Sequence, residues 1–281
     1  MDGVVTRPGE GEVLEGEDRE LRVKAVRAEL DLLEYDVGSG YEGPGPHFHK
    51  RHVDSFYVLE GELEFTVGGE TVRAPAGTFV VAPIGVVHAF TNPGPGPARF
   101  LNLHAPETGF VDLLRARDRG EEPDPQQFDV FDADGASDGA GGAIVVGVGE
   151  GQRVSTRLVI TAALDELVAT DTTFEAGRRG PPPHVHRRQA DSFYILEGEL
   201  EFLLDEEKLR APAGSVVVAP PNVVHTFWNP GPEPARYLNF HTPGAEFDRY
   251  LLEGPRDGES QTDYFERFDT FVVDRPHPAD T

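Results

Sequence analysis

The chain has 281 residues and a net charge of −25, from 25 basic and 50 acidic side chains, and it contains no cysteine. A surface of that sign repels phosphate backbones and anionic lipid, so neither nucleic acid nor a membrane is an expected partner, and without cysteine there are no disulfides, thiolate metal sites or cysteine nucleophiles. No apolar stretch approaches the roughly 20 residues that span a bilayer, and the opening MDGVVTRPGE lacks a signal core, which together read as a cytoplasmic protein.

The 32 glycines and 24 prolines separate many short Val-, Leu- and Phe-rich runs, the pattern of an all-β chain with frequent tight turns. In chain order, GPGP at 43–46 predicts an extended approach to a strand at His47-Phe48-His49. The segment DSFYVLEGELEF follows from Asp54, with EGE as the turn between two strands. Along its first strand Asp54, Phe56 and Val58 share one face, and Tyr57 and Leu59 take the other. VGGE marks the next turn, TFVVAP a short apolar strand ending at Pro83, and the run VVAPIGVVHAF carries His88. GFVDLLRARD, from Gly109, reads as a helix.

Residues 115–142 are rich in Asp, Gly and Pro and read as a linker, interrupted by Phe128 and Phe131. A second copy then begins. DSFYILEGELEF starts at Asp191, differs from the first at one position (Val58 against Ile195), and fixes an offset of 191 − 54 = 137. The same offset carries His47 to His184, His49 to His186, His88 to His225, Asn92 to Asn229, Asn102 to Asn239 and His104 to His241. This is a duplicated domain and not a short-period solenoid. The expected ranges are 1–125 for the first barrel, 126–142 for the linker and 143–281 for the second barrel. EFDRYLLEG from Glu246 reads as a helix after the second barrel, and RFDTFVV from Arg267 as a strand or arm packed on it, like the Phe128–Phe131 phrase in the first half.

The chemistry-bearing residues repeat with the domain. Two histidines at i, i+2 on a strand send both imidazoles to one face. His47, His49, Asp54 and His88 recur as His184, His186, Asp191 and His225 at identical spacings. One such histidine pair is a weak signal. Both copies retaining a carboxylate and a third histidine at fixed separations is a strong one. Imidazole nitrogen and carboxylate oxygen suit Fe, Mn, Ni, Cu and Zn as divalent ions, and four protein ligands leave positions open, as in a catalytic site. Up to two ions per chain are expected.

These residues resemble the two cupin motifs, G(X)5HXH(X)3–4E(X)6G and G(X)5PXG(X)2H(X)3N. The first appears as His47, His49, Asp54 and Gly61, with Gly40 one residue further upstream, and again as His184, His186, Asp191 and Gly198. The second appears as Gly77, Pro83, Gly85, His88 and Asn92, and as Gly214, Pro220, His225 and Asn229 with Asn222 in place of the inner glycine. The resemblance covers half the chain. It implies two tandem double-stranded β-helix (jelly-roll) barrels, each with a central metal and a short helix after it, and barrels that pair within the chain about a pseudo-two-fold axis, with a homodimer left open. Aspartate stands where the family has glutamate in both copies; one methylene shorter, it serves as a ligand directly or through water, or as the group that takes a proton.

Of the neighbouring residues, Phe56, Val58, Phe90, Phe193, Ile195 and Phe227 share parity with the ligands and either line an apolar cavity beside the metal or, as preferred for most of them, simply fill the barrels. His104 and His241 either point inward and act on substrate or, as the preferred structural reading, donate to a backbone carbonyl at the barrel rim, with Asn102 and Asn239 as hydrogen-bond partners of the same parity. His52, an additional imidazole in the first copy that Gln189 replaces in the second, either joins the site or, as preferred, lies at the surface. The site resembles those of quercetinase-type and pirin-like two-domain cupins, which implies a metal-dependent dioxygenase acting on a small aromatic or enolic substrate, with Asp54 and Asp191 as catalytic carboxylates. A non-catalytic sensor or binding cupin, and a metal-dependent isomerase or hydrolase, use the same ligands.

Overall fold

The structure is a computed structural model that describes residues 3–16, 18–133 and 142–280. It is all-β apart from short helices, as the turn-punctuated sequence requires, and it divides into two compact units: Gly11–Glu150, and Gly151–Thr281 together with Met1–Glu10. Each unit is a jelly-roll of one seven-stranded and one five-stranded sheet, antiparallel throughout.

In the first unit the large sheet runs, edge to edge, through Ile144–Val146, Phe79–Ala82, Val53–Glu60, Ala98–Ala105, Leu30–Val37, Arg19–Arg27 and Glu12–Gly16. The small sheet runs through Phe131–Asp132, His47–Phe48, His88–Thr91, Glu62–Val67 and Glu70–Pro75. The second unit repeats this plan, with Val4–Thr6 on Val216–Ala219 at one edge of its large sheet. The units therefore differ from the expected domain ranges at their ends. Val4–Thr6 supplies the edge strand of the second unit, and Ile144–Val146 pairs with Phe79–Ala82 of the first. An edge strand exposes unpaired N–H and C=O groups, so each added strand satisfies one such edge. Residues 134–141 of the expected linker lie outside the described residues.

Period-2 alternation places the cores. Phe56 and Val58 on the large sheet meet Leu63, Phe65 and Phe90 on the small one, with ring centroids of Phe56 and Phe65 4.9 Å apart. Phe193, Ile195, Leu200, Phe202 and Phe227 form the matching core. These phenylalanines and aliphatics fill the barrels as expected, and Phe90 and Phe227 also reach the cavities described below. The repeated EGE turns need glycine: Gly61 has φ 76°, and a Cβ there would lie 2.6 Å from the Pro97 carbonyl oxygen.

Helix α1 (Phe110–Asp118) follows the first barrel and buries Val111, Leu113 and Leu114. Helix α2 (Phe247–Leu252) follows the second. A further helix, α3 (Gln261–Arg267), was not read from the sequence, although Ser260 caps it by accepting from Asp263 N at 3.1 Å, an S-x-x-D signature. Both FDxF phrases end in short strands, Phe131–Asp132 beside His47–Phe48 and Phe271–Val272 beside His184–Val185, as expected of arms packed on the barrels.

Candidate metal centre

Antiparallel pairing brings the first and third histidines face to face: His47 is directly opposite His88, and His184 opposite His225. His49 and His186 follow at the strand ends. Asp54 and Asp191 approach from the large sheet, each directly opposite a histidine on the adjacent strand, His104 and His241. In each half the four residues are buried, and their ligand atoms lie within 4.8 Å of one another. All eight residues singled out by spacing thus meet in two constellations.

The second motif shapes the turn that carries the third histidine. Gly85 N donates to His49 O at 2.7 Å, and Asn222 N to His186 O at 2.6 Å. Both residues are left-handed, with φ 80° and 68°. Asparagine is among the few side chains that adopt this conformation at low cost, which accounts for Asn222 in the glycine position. The motif asparagines do not enter the site. Asn92 Nδ2 donates to Gly38 O and Gly96 O, and Asn229 Nδ2 to Phe174 O and Glu233 O, closing loops.

Hydrogen bonding fixes the tautomer of every clustered imidazole. His47, His49 and His88 place Nδ1 2.8–2.9 Å from the carbonyl oxygens of Gly45, Asp129 and Val86. His184, His186 and His225 do the same with Pro182, Asp269 and Val223. A carbonyl only accepts, so Nδ1 carries the hydrogen and Nε2 turns its lone pair to the centre. Nε2 of His49, His186 and His225 is buried without a hydrogen-bond partner. His88 Nε2 stands 3.1 Å from Asp54 Oδ2, and His225 Nε2 stands 3.3 Å from Asp191 Oδ2. Lone pairs facing a carboxylate across such gaps are the donor set of a cation. The residues fit a divalent metal.

Electrostatics point the same way. Burial, with the neighbouring imidazoles, pushes His47 and His186 down to about 3, so these rings are neutral, as ligation requires. Burial alone would raise the Asp54 carboxyl, but His104, His49 and His88 hold it well below its ordinary value. Asp191 is lowered in the same way by His241 and His225. Asn102 Nδ2 donates to Asp54 Oδ1 and Asn239 Nδ2 to Asp191 Oδ1. One oxygen of each carboxylate is thereby tied, and Oδ2 is left toward the imidazoles.

Three expectations are corrected. His52 is not at the surface: it is fully buried, with Nδ1 2.9 Å from Asp129 Oδ2 and Nε2 2.9 Å from His104 Nδ1. Gln189 is equally buried, its Oε1 3.0 Å from His241 Nδ1. His104 and His241 bond to these side chains and to Asn102 and Asn239 Oδ1, not to carbonyls at a rim. A polar side chain is buried when such partners satisfy it, and a single sequence gives no sign of partners 52 residues apart. His49, His52 and His104 also form a close imidazole group. Their Nδ1 atoms are already committed to Asp129 and to one another, which makes this a hydrogen-bonded relay behind the metal-type cluster.

The residues that sequence reasoning missed are Asp129 and Asp269. Each lies in an FDxF arm at φ 61° or 60° and is buried. The Asp129 carbonyl receives His49 Nδ1–H, and its carboxylate accepts Arg51 N at 2.8 Å and Lys50 N at 3.2 Å. Asp269 repeats this with His186, Arg188 and Arg187. The duplicated FDxF phrase was the available signal.

Each cluster opens on a cavity. The first, of about 210 Å³, is lined by His47, Asp54, Tyr35, Tyr41, Phe90 and Phe110 among others. The second, of about 380 Å³, has His184, His186, Asp191, Phe227, Tyr237 and Tyr250 in its wall. Phe110 stacks on His104 at 4.0 Å and Phe247 on His241 at 3.4 Å, so α1 and α2 each cover the ring behind the carboxylate.

The sequence model of the cupin domain matches the chain twice, over residues 33–104 and 170–241, together half its length. Quercetin 2,3-dioxygenase of Bacillus subtilis (strain 168) is 25% identical over 261 residues, 79% of this chain and 77% of that protein. Among solved structures, AerE from Microcystis aeruginosa aligns with a TM-score of 0.61 at 15% identity, covering 85% of this chain and 98% of its own. Ylba from E. coli gives 0.62 at 13%, covering 85% and 90%. Oxalate decarboxylase from Bacillus subtilis gives 0.55 at 16%, covering 85% and 76%. At these identities the structural likeness speaks for the fold.

Proposed function

The chain belongs to the cupin family, carrying its domain twice, and from that premise we propose that it is a metal-dependent dioxygenase acting on a small aromatic or enolic molecule. His47, His49, His88 and Asp54 hold one ion in this reading, and His184, His186, His225 and Asp191 hold the other. The observation that carries it is the convergence, in each half, of three imidazoles with Nδ1 tied to carbonyls around a carboxylate beside an apolar-walled cavity. The likeness to quercetin 2,3-dioxygenase supports oxygenation over other cupin activities.

A bound divalent redox metal supplies Lewis acidity toward a substrate oxygen and toward dioxygen. The chain's residues supply the rest. The Oδ2 atoms of Asp54 and Asp191, kept ionised by the surrounding imidazoles, take the proton of a substrate hydroxyl. Asn102 and Asn239 hold the other carboxylate oxygen and so set its angle. Phe90 and Phe227 line the cavities with apolar rings that limit water at the reacting oxygen.

The test is metal analysis of protein grown without added metals, followed by dioxygen uptake with flavonols and catechols. Iron, manganese, nickel or copper at up to two ions per chain with substrate-dependent uptake is the expected result. No uptake with any of these metals restored overturns the oxygenase reading, and zinc alone favours an isomerase or hydrolase.

A further inference from the structure

The two cavities share their ligands but not their walls, and the differences fall at matched positions. Where the first unit has Leu33 and Tyr35 on the strand beside Ala98–Ala105, the second has Thr170 and Thr172. Tyr35 stacks on Phe100 at 4.8 Å and fills the first barrel. In the second unit the aromatic of that pair is Tyr237, opposite Thr172. Tyr41, tilted against Phe90 in the first unit, is replaced by Arg178. Smaller side chains leave about 380 Å³ in the second unit against about 210 Å³ in the first. Only the larger value falls in the range of about 300–1,000 Å³ common to ligand pockets.

Charge separates them as well. The first cavity is lined by Arg19 and Arg117 but also by Asp54 and Asp132. The second has Arg178 and Arg179 with Asp191 as its single carboxylate. Arg179 pairs with Asp280. Arg178 pairs with no carboxylate among the described residues; it is exposed at the cavity wall, and its guanidinium lies over the Phe174 ring at 5.1 Å. Its backbone is held in place, because Asn229 N donates to Arg178 O at 2.9 Å. Burial keeps the Tyr237 phenol protonated and therefore a donor. A guanidinium without a carboxylate partner among the described residues, and a phenol and two threonine hydroxyls linked to one another, thus stand in the wall around a metal-type cluster, inside a chain of net charge −25.

We propose that the second cavity takes an organic anion: an aromatic or enolic molecule whose hydroxyl faces the metal cluster and whose carboxylate is held by Arg178, while the first cavity has diverged from this role. The assignment of a metal-facing hydroxyl rests on the reading given under Proposed function; the selection for a carboxylate does not. Guanidinium and carboxylate form charge-assisted, bidentate hydrogen bonds.

The experiment compares binding of 3,4-dihydroxybenzoate and catechol to the metal-loaded protein by calorimetry without dioxygen. The wild type is expected to bind 3,4-dihydroxybenzoate about tenfold or more tighter than catechol. Arg178→Gln removes that preference and leaves catechol within about twofold, and Arg178→Lys restores part of it. His186→Ala abolishes tight binding of the carboxylated probe, whereas His49→Ala retains it. Equal affinity for the two probes in the wild type, equal losses for both in Arg178→Gln, or undiminished binding of 3,4-dihydroxybenzoate in His186→Ala overturns the proposal. Because dioxygen is absent, failure of oxygen uptake sinks the oxygenase reading alone.

Discussion

His49 and His186 show how much one side chain carries here. Each sends Nδ1–H to an aspartate carbonyl more than 75 residues away and leaves a bare Nε2 at the centre. Truncating either ring removes a donor and leaves the remaining lone pairs facing one another. His49→Ala and His186→Ala are each expected to lower metal content by about one ion per chain, with the β-sheet circular dichroism unchanged. Full metal content in both variants refutes the ligand assignment. Asp54 and Asp191 are short for the task that the family gives to glutamate, and the imidazoles that lower their pKa compensate by keeping Oδ2 anionic.

At the scale of elements, the FDxF arms and the motif turns decide whether the ligands are held. Asp269 accepts the backbone N–H groups of Arg187 and Arg188 while its carbonyl takes His186 Nδ1–H. Loss of partners behind a ligating histidine weakens metal binding about 10–100-fold. Asp269→Ala is expected to weaken the second site by that order without affecting the first, measured by competition with a chelating dye. Asp269→Asn, which tolerates the left-handed backbone and keeps one acceptor oxygen, is expected to be closer to wild type. If the two variants behave alike, the arm does not position His186. The turn before the third histidine gives a second test. Nothing lies within 4 Å of a Cβ built on Gly85, so only its φ of +80° penalises substitution. Gly85→Asn is expected to cost little, since Asn222 occupies the matched position, and Gly85→Val to cost about 1–2 kcal/mol, read from urea denaturation. Equal costs for both mean that the backbone angle is not the controlling feature.

Between pH 6.5 and 4 the buried imidazoles dominate how the stability of the whole molecule responds to acid. In the folded chain His47 and His186 protonate at about 3, and His104 and His241 at about 4, mainly because burial disfavours the charged ring. The unfolded chain protonates the same groups at the ordinary value of 6.5. Below 6.5 the unfolded state therefore binds more protons, and stability falls as pH drops toward 4. The urea midpoint of metal-free protein is expected to rise slightly as pH falls from about 8 to 6.5, where burial, the main cause, has pushed the Asp31 carboxyl up to about 8 so that the folded chain alone takes that proton. It is then expected to decline between pH 6.5 and 4, where the more numerous imidazoles dominate; divalent metal is expected to raise it by mass action wherever the ion binds. A metal-free midpoint that rises as pH falls from 6.5 to 4 contradicts the neutral, buried state of these rings. No helix among the described residues is long and apolar enough to cross a membrane.

The duplication at a constant offset, the period-2 strands and the ligand spacing were all written locally in the chain, so the sequence by itself determined a two-fold β architecture and the eight residues of the two constellations. Spacing sufficed there because antiparallel pairing fixes which residues of neighbouring strands oppose each other, as with His47 and His88. Tertiary structure decided what depends on groups remote in sequence: the burial of His52 and Gln189, the tautomers set by Asp129 and Asp269, and the exchange of edge strands between the expected domains. It also decided the unequal cavities, because the room left beside a metal cluster depends on which side chains from several strands point into the same space, and no single strand's pattern specifies that sum.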